Sequence, residues 1–463
     1  MSRILKKTHM VNMTEGKPLK LILTFAIPLF IGSIFQQIYN VVDTMVAGHV
    51  LGDQAIAAIS ATSSIYHLII QLSWGLASGF VIVLTRSFGA GDILRIRRTL
   101  ASSFVLSALL AIVMTTIAAF ILRPLMHLMN APDSIFEQAY SYMIIILLGL
   151  SVTVAYNLFS GIMRAFGNSV TPLYVLIFAS LLNIGLDLLF VAGLHMGVAG
   201  AALATILAQA VSAVICAVFV FRNYREYLPS REDFIPDWPL IREMLSTGGA
   251  MSLMYSIVSI GSMFFQGATN ALGDTVITAH AASEKIIVLL MGPMSAVMDA
   301  TATFVGQNWG AGRQDRVRTA FRQTMLLEAL IGAANCLMVY LLGGLFIRWL
   351  TGTTNPEIVR YGLINLRTVT PFYPILGVLF ILRTSMQAIG QKIVPVISSA
   401  IELGVRVFGA FVMVPALGYP GVALSTSLTW TSMTVFIFVC YLLKTRKMLQ
   451  GQPSALTLCS EEG

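Results

Sequence analysis

Five polar residues stand inside long apolar runs in the first half of the chain: Asp43, Asn157, Asn183, Asp187 and Thr205. An acid in hydrocarbon costs roughly 2.5 kcal/mol or more, so it needs a partner or a task. Carboxylate, amide and hydroxyl groups are all oxygen donors, the kind that a hard cation or a proton takes. Asn183 and Asp187 are four residues apart and therefore share one helix face, as do Tyr39 and Asp43. Pro28 precedes Asp43 in the same apolar run, about 22 Å back along a helix that rises 1.5 Å per residue. A proline inside a helix removes one backbone bond and leaves a natural bend. The group reads as a cation or proton site, Asp43, Asn183, Asp187, Thr205 and Asn157, with Tyr39 in support and a hinge at Pro28. Amides and hydroxyls also glue membrane helices together, and for Asn157 or Thr205 taken alone that reading stands beside the first.

Elements that place such residues in lipid must be membrane helices. Hydrophobic residues make up 57% of the 463, charged residues only 11%, and mean hydropathy is +0.82. A soluble domain carries about a quarter charged residues, so this is a polytopic membrane protein. A span needs about 20 apolar residues, and about twelve runs qualify, near 20–48, 56–85, 99–123, 136–162, 171–193, 197–221, 244–269, 277–306, 320–347, 358–382, 393–415 and 419–443. The start of the chain is polar and basic and shows no cleavable signal.

Basic residues fall in alternate loops. Lys6, Lys7, Lys17 and Lys20 precede the first span, Arg86 and Arg95–Arg98 follow the second, Arg222–Arg242 the sixth and Arg313–Arg322 the eighth. The segments 49–54, 193–197, 270–274 and 415–420 hold no Lys or Arg. The positive-inside rule then puts both termini in the cytoplasm and the protein in the cell (inner) membrane. The net charge of +8 reflects this topology and not nucleic-acid binding. The four cysteines lack metal-ligand spacing. No zinc-protease, phosphate-loop or nucleophile-elbow motif is present, so an enzyme is not expected.

The chain is duplicated. Leu51-Gly52-Asp53 recurs as Leu272-Gly273-Asp274, and Gly89-Ala90-Gly91 as Gly310-Ala311-Gly312, both 221 positions on. Gly197 and Gly200 pair with Gly418 and Gly421 at the same offset, and Arg164–Gly167 resembles Gln387–Gly390. Six spans per half make the halves parallel repeats about an axis along the membrane normal. The expected organisation is an N-lobe at 1–221, a cytoplasmic linker at 222–242, a C-lobe at 243–445 and a tail at 446–463. At the repeat offset Asp43 corresponds to Phe264, Asn183 to Gly404 and Asp187 to Phe408; Thr205 alone keeps its type, in Thr426. A six-helix lobe therefore stands without the acids, which favours function over scaffold.

In these features the chain resembles the multidrug and toxic compound extrusion (MATE) transporters, over about residues 17–445. Within the family it is similar to the DinF-like branch. There an aspartate on helix 1, an asparagine on helix 4, an Asn-x-x-x-Asp pair on helix 5 and a threonine on helix 6 surround a cation or proton site. These match Asp43, Asn157, Asn183 with Asp187, and Thr205; the family's bending proline matches Pro28 and a tyrosine near the aspartate matches Tyr39. The NorM-like branch places acids on helices 7 and 10, and 245–268 and 361–381 hold none. Asp299 is a candidate for the substrate cavity. Glu402 and Arg406, four apart, are expected to pair.

The resemblance implies an all-α antiporter of two six-helix bundles. It would be coupled to H⁺ or Na⁺ and export organic, cationic amphiphilic compounds by alternating access, with Na⁺ possible at Asp43, Asn183, Asp187 and Thr205. No cofactor beyond the coupling ion is expected. The expected partners are drug-like small molecules and membrane lipids, with the protein a monomer. The alternative is a lipid-linked precursor flippase of the same superfamily, kept open by Arg367, Arg383 and Arg406. An ion channel would instead show gradient-independent conductance.

Overall fold

A computed structural model describes residues 10–128, 132–353 and 355–445; several side chains between residues 40 and 68, that of Asp43 included, lie outside this description, as does the whole tail from 446. The described residues are predominantly helical, and no strand is found among them. Eleven helices are long and apolar enough to cross a membrane, and twelve when one bent pair counts as a single span. The α-helices in chain order are α1 (Pro18–Leu51), α2 (Asp53–Ala90), α3 (Ile93–Leu128), α4 (Asp133–Leu148), α5 (Leu150–Ala165), α6 (Val170–Asp187), α7 (Gly197–Asn223), α8 (Trp238–Asn270), α9 (Asp274–Gly310), α10 (Gln314–Thr351), α11 (Pro356–Val369), α12 (Tyr373–Ala388), α13 (Ile393–Phe408), α14 (Val414–Leu417) and α15 (Tyr419–Cys440), some spans being made of two or more of them.

Two expected spans are interrupted. The run 136–162 is α4 and α5, meeting at 45° at Gly149. The isoleucine side chain of Ile206 on α7 fills the space beside that glycine, so a Cβ there would lie 2.3 Å from it. The run 358–382 is α11 and α12, joined by a tight turn at Thr370–Phe372. Pro371 and Pro374 remove two backbone donors there, which favours a break in the α ladder.

The duplication extends to backbone conformation. Glycines with positive φ recur in pairs: Gly52 at 79° and Gly273 at 96°, Gly91 at 69° and Gly312 at 70°, Gly197 and Gly418 both at 64°, Gly167 at 82° and Gly390 at 92°. Left-handed backbone is costly for any residue with a Cβ, so the repeated motifs mark where each half turns between helices. A widened π-helical turn recurs too, at Leu188–Gly193 and again at Gly409–Met413.

The chain divides into two compact units. Of the described residues, one holds 10–12 and Ile27–Ser252 and the other Met13–Ala26 and 253–445. The divisions fall after Asn12, inside α1 one residue before Pro28, and inside α8. In the first unit Leu84, Leu100, Ile162, Phe166 and Val220 pack around Tyr224. In the second, Val305, Phe321, Leu366, Tyr373 and Met433 form the core.

The polar segment 222–242 is ordered within the first unit. Arg97 donates to the Glu226 carbonyl at 2.9 and 3.1 Å. Ser230 donates to the Asp233 carboxylate from both its N–H and its hydroxyl, each at 2.7 Å. Burial opposes that charge, but the two Ser230 donors, with Arg97 and Arg98 nearby, outweigh it and hold the Asp233 carboxyl below its ordinary pKa. Its contribution to stability is therefore present at neutral pH and lost as pH falls through that lowered value.

Glu243 near the start of α8 accepts from Arg86 at 2.8 Å and Arg95 at 2.7 Å, while Arg98 reaches Asp237 at 3.3 Å. Glu243→Gln strands the half-buried Arg86 and is expected to cost about 1–2 kcal/mol, between the values for exposed and buried pairs. Asp237→Asn keeps the oxygen that accepts from the Leu240 N–H, so it is expected to cost less. Melting of both variants in detergent checks the order; equal melting points would refute it.

Candidate cation site in the first unit

Asn183 and Asp187 occupy the last turn of α6, four residues apart, each 1% exposed. An amide's O and N are assigned from the bonds they satisfy. With Nδ2 toward the carboxylate, Asn183 donates to Asp187 Oδ2 at 2.8 Å, and its Oδ1 accepts from the Thr205 backbone N–H at 3.2 Å. The π-helical turn at Leu188–Gly193 begins directly after Asp187. Such widened turns are frequent at functional sites. Three of the residues singled out in the sequence thus come together on α6 and α7.

Thr205 contributes its backbone. Its hydroxyl, half-buried, donates to the Ala201 carbonyl of its own helix at 3.1 Å. Asn157 lies half-buried on α5, one turn after Thr153. Thr153 donates to the side-chain oxygen of Gln209, which stands one turn after Thr205 on α7. Thr153 and Gln209 extend the polar seam between α5 and α7 and were missed in the sequence. Their signal was there, in the four-residue spacing from Asn157 and Thr205.

On α1, Gly32 packs against Leu173 and Leu176 of α6, where a Cβ would lie 3.4–3.6 Å from their methyls. α1 and α6 are the first and fifth spans and run the same way. Residue 43 lies eleven positions after Gly32, and residue 187 eleven after Leu176, so both stand about 16 Å further along. Asp43 is thereby level with Asp187 along the bundle, though its side chain is outside the described residues. Tyr39 and Pro28 are half-buried on the same helix, which continues through Pro28.

The MatE family model matches the chain twice, at residues 28–189 and 250–412. The chain belongs to the MatE family. The first match contains Pro28, Tyr39, Asp43, Asn157, Asn183 and Asp187; Thr205 lies beyond it. Family members are transporters and not enzymes, and this MatE chain is a multi-pass membrane protein of that kind. It is 26% identical to the probable multidrug resistance protein YpnP of Bacillus subtilis (strain 168), over 93% of this chain and 96% of that one. It is 21% identical to the multidrug export protein MepA of Staphylococcus haemolyticus, over 96% and 97%. Its fold is that of a MOP superfamily transporter from Pyrococcus furiosus, with a TM-score of 0.86 at 23% identity, covering 95% and 98% of the two chains.

The second unit of this MatE chain holds ionisable groups of a different character. Arg406 and Glu402 pair as the spacing predicts, with Nε and Nη2 both 3.1 Å from Oε1. Arg383 is a second partner that the sequence did not indicate, 3.8 Å from Oε2 and bonded to Ser399. Asp299, on α9, is exposed and has Tyr255 as an electrostatic neighbour; it belongs to this unit and not to the cluster on α6 and α7. Glu328 on α10 is wholly buried against Gly377, and neither of its oxygens has a hydrogen-bond partner among the described residues. A single acid in an apolar run has no partner at helical spacing, so the sequence does not single out Glu328.

Proposed function

We propose that this MatE protein is a cation-coupled antiporter, driven by H⁺ or Na⁺, that exports organic, cationic amphiphilic compounds by alternating access. The observation that carries the proposal is the buried Asn183–Asp187 pair with Thr205 beside it, present in one half of a duplicated chain, while the other half has Gly404 and Phe408 at the positions of the amide and the acid. A carboxylate with neutral oxygens around it takes up a proton or a hard cation. Asp43, level with it, would complete the coupling set that the resemblance to the DinF-like branch implies. Coupling needs an ion and a substrate that favour different conformers or compete for one. Relatives named as multidrug resistance and multidrug export proteins support a drug-like substrate. They do not favour the flippase alternative.

The test is efflux of a fluorescent organic cation from proteoliposomes under imposed Na⁺ and pH gradients, applied separately. Dependence on one gradient supports antiport and names the ion. Efflux under neither gradient, or conductance without one, refutes it.

Pro28 is the proposed hinge. Pro28→Ala restores one backbone bond in α1, so folding is expected to survive while efflux falls. Unchanged efflux at matched membrane expression rules out the hinge.

A further inference from the structure

We propose that the second unit binds an anionic phospholipid in a groove between α10 and α11, through Arg348, Arg360 and Arg367. The groove encloses about 590 Å³, and its lining includes Tyr340, Arg348, Val359, Arg360, Leu363 and Arg367 but no acidic side chain. All three arginines are exposed and none forms an ion pair among the described residues. Glu357, one turn before Arg360, is likewise unpaired with it among the described residues.

Two of the guanidiniums are held by aromatic rings. Arg367 lies 5.6 Å from the centre of the Tyr340 ring, and Arg360 lies 5.5 Å from that of Tyr361. The Tyr340 hydroxyl donates to the Arg367 carbonyl at 3.2 Å, which fixes the ring across the two helices. Cation–π contact orients a guanidinium without engaging its N–H donors, which stay free to take phosphate oxygens.

The surroundings select a lipid over a soluble anion. Leu337, Leu341 and Leu345 form an exposed stripe on α10 beside the groove. In a membrane protein such a stripe faces lipid. Arg367 stands eleven residues inside α11, about 16 Å from its start. A cation at that depth is costly unless it reaches a counter-charge, and a long arginine side chain can reach toward the interface. Phosphatidylglycerol supplies an anion for the arginines and acyl chains for Leu363 and the leucine stripe. Inorganic phosphate supplies only the first. The groove lies at the end of α10 away from the basic segment Arg313–Arg322, where basic residues are otherwise sparse.

The experiment compares retention of phosphatidylglycerol and phosphatidylcholine by the full-length protein, using native mass spectrometry after reconstitution. Wild type is expected to retain phosphatidylglycerol by about tenfold or more over phosphatidylcholine, since each basic residue adds to the attraction. R348Q/R360Q/R367Q should lose that preference while melting like wild type in lipid-free detergent. Should that variant not purify, R360Q/R367Q serves, with the same expected loss. Equal retention of the two lipids by wild type refutes the proposal, as does a preference that survives the substitutions. Displacement of phosphatidylglycerol by an equal concentration of inorganic phosphate would make the groove a free-anion site and also overturn it. None of these readouts depends on antiport, so they stand apart from the efflux test.

Discussion

Asp187→Asn is expected to abolish gradient-driven efflux. The substitution keeps the shape of the side chain, and its new amide retains an oxygen that Asn183 can reach. What it removes is the charge that a proton or Na⁺ would neutralise. Without that charge the ion has no differential affinity for the two conformers, and a ligand with equal affinity for both shifts nothing. A loss of even ~1.4 kcal/mol of differential binding is a tenfold loss of bias, so efflux should fall by about tenfold or more. Asp43→Asn should behave in the same way if it completes the site from α1. Asn183→Ala removes the donor to Asp187 Oδ2 and the acceptor for the Thr205 N–H but leaves the carboxylate, so it should weaken coupling less. Glu402→Gln is the control, since Glu402 is already paired with Arg406 and Arg383 in the other unit. Efflux at matched membrane expression decides. If Asp187→Asn and Asp43→Asn both transport like wild type under either gradient, the polar cluster is structural.

Gly167→Ala is expected to be the most destabilising single change to the first unit among its turn glycines. Gly167 has φ of 82°, and a Cβ built there would lie 2.2 Å from the Val11 carbonyl oxygen. Val11 also donates its N–H to the Gly167 carbonyl at 2.9 Å, so the two backbones cannot simply separate. The adjoining Asn168 is buried, accepts from the Thr171 N–H at 3.0 Å and donates to its hydroxyl at 2.9 Å. This turn therefore sets how α6 leaves α5, and α6 carries Asn183 and Asp187. A left-handed residue with a Cβ costs about 1–2 kcal/mol and forced overpacking about 1–3 more. Gly91→Ala supplies the comparison: φ is 69° but nothing lies within 4 Å of the new Cβ, so only the first cost applies. Thermal melting in detergent should place Gly167→Ala several degrees below Gly91→Ala. Equal melting points would show that the Val11 contact yields without cost.

The class of the protein, its helices and its duplication were legible in the chain because they rest on local signals. A run of apolar residues has one low-energy arrangement in lipid, a helix with its backbone bonded internally. Leu51-Gly52-Asp53 and its copy at Leu272 mark turns because a positive φ needs glycine wherever it occurs. The pairing of Glu402 with Arg406 was legible for the same reason, since four residues on a helix fix the distance. The Asn183–Asp187 face was legible too, and its oxygen donors are of the kind the proposed proton or hard cation would take.

Tertiary structure decided what spacing within one helix cannot carry. Thr205 meets Asn183 through its backbone N–H and not its hydroxyl, because α7 presents that atom to α6 while the hydroxyl satisfies Ala201. The room for glycine alone at the 149 break is set by the side chain of Ile206, fifty-seven residues away. Arg383 joins Glu402 only because α12 and α13 bring positions nineteen residues apart within 3.8 Å. Arg348, Arg360 and Arg367 are scattered in the sequence, and they became one groove only when α10 and α11 packed together. The sequence by itself determined which residues can hold charge in a membrane, because that cost is a property of the side chain. Which of those charges share a site was decided by packing, because contact between helices depends on side chains that no local pattern links.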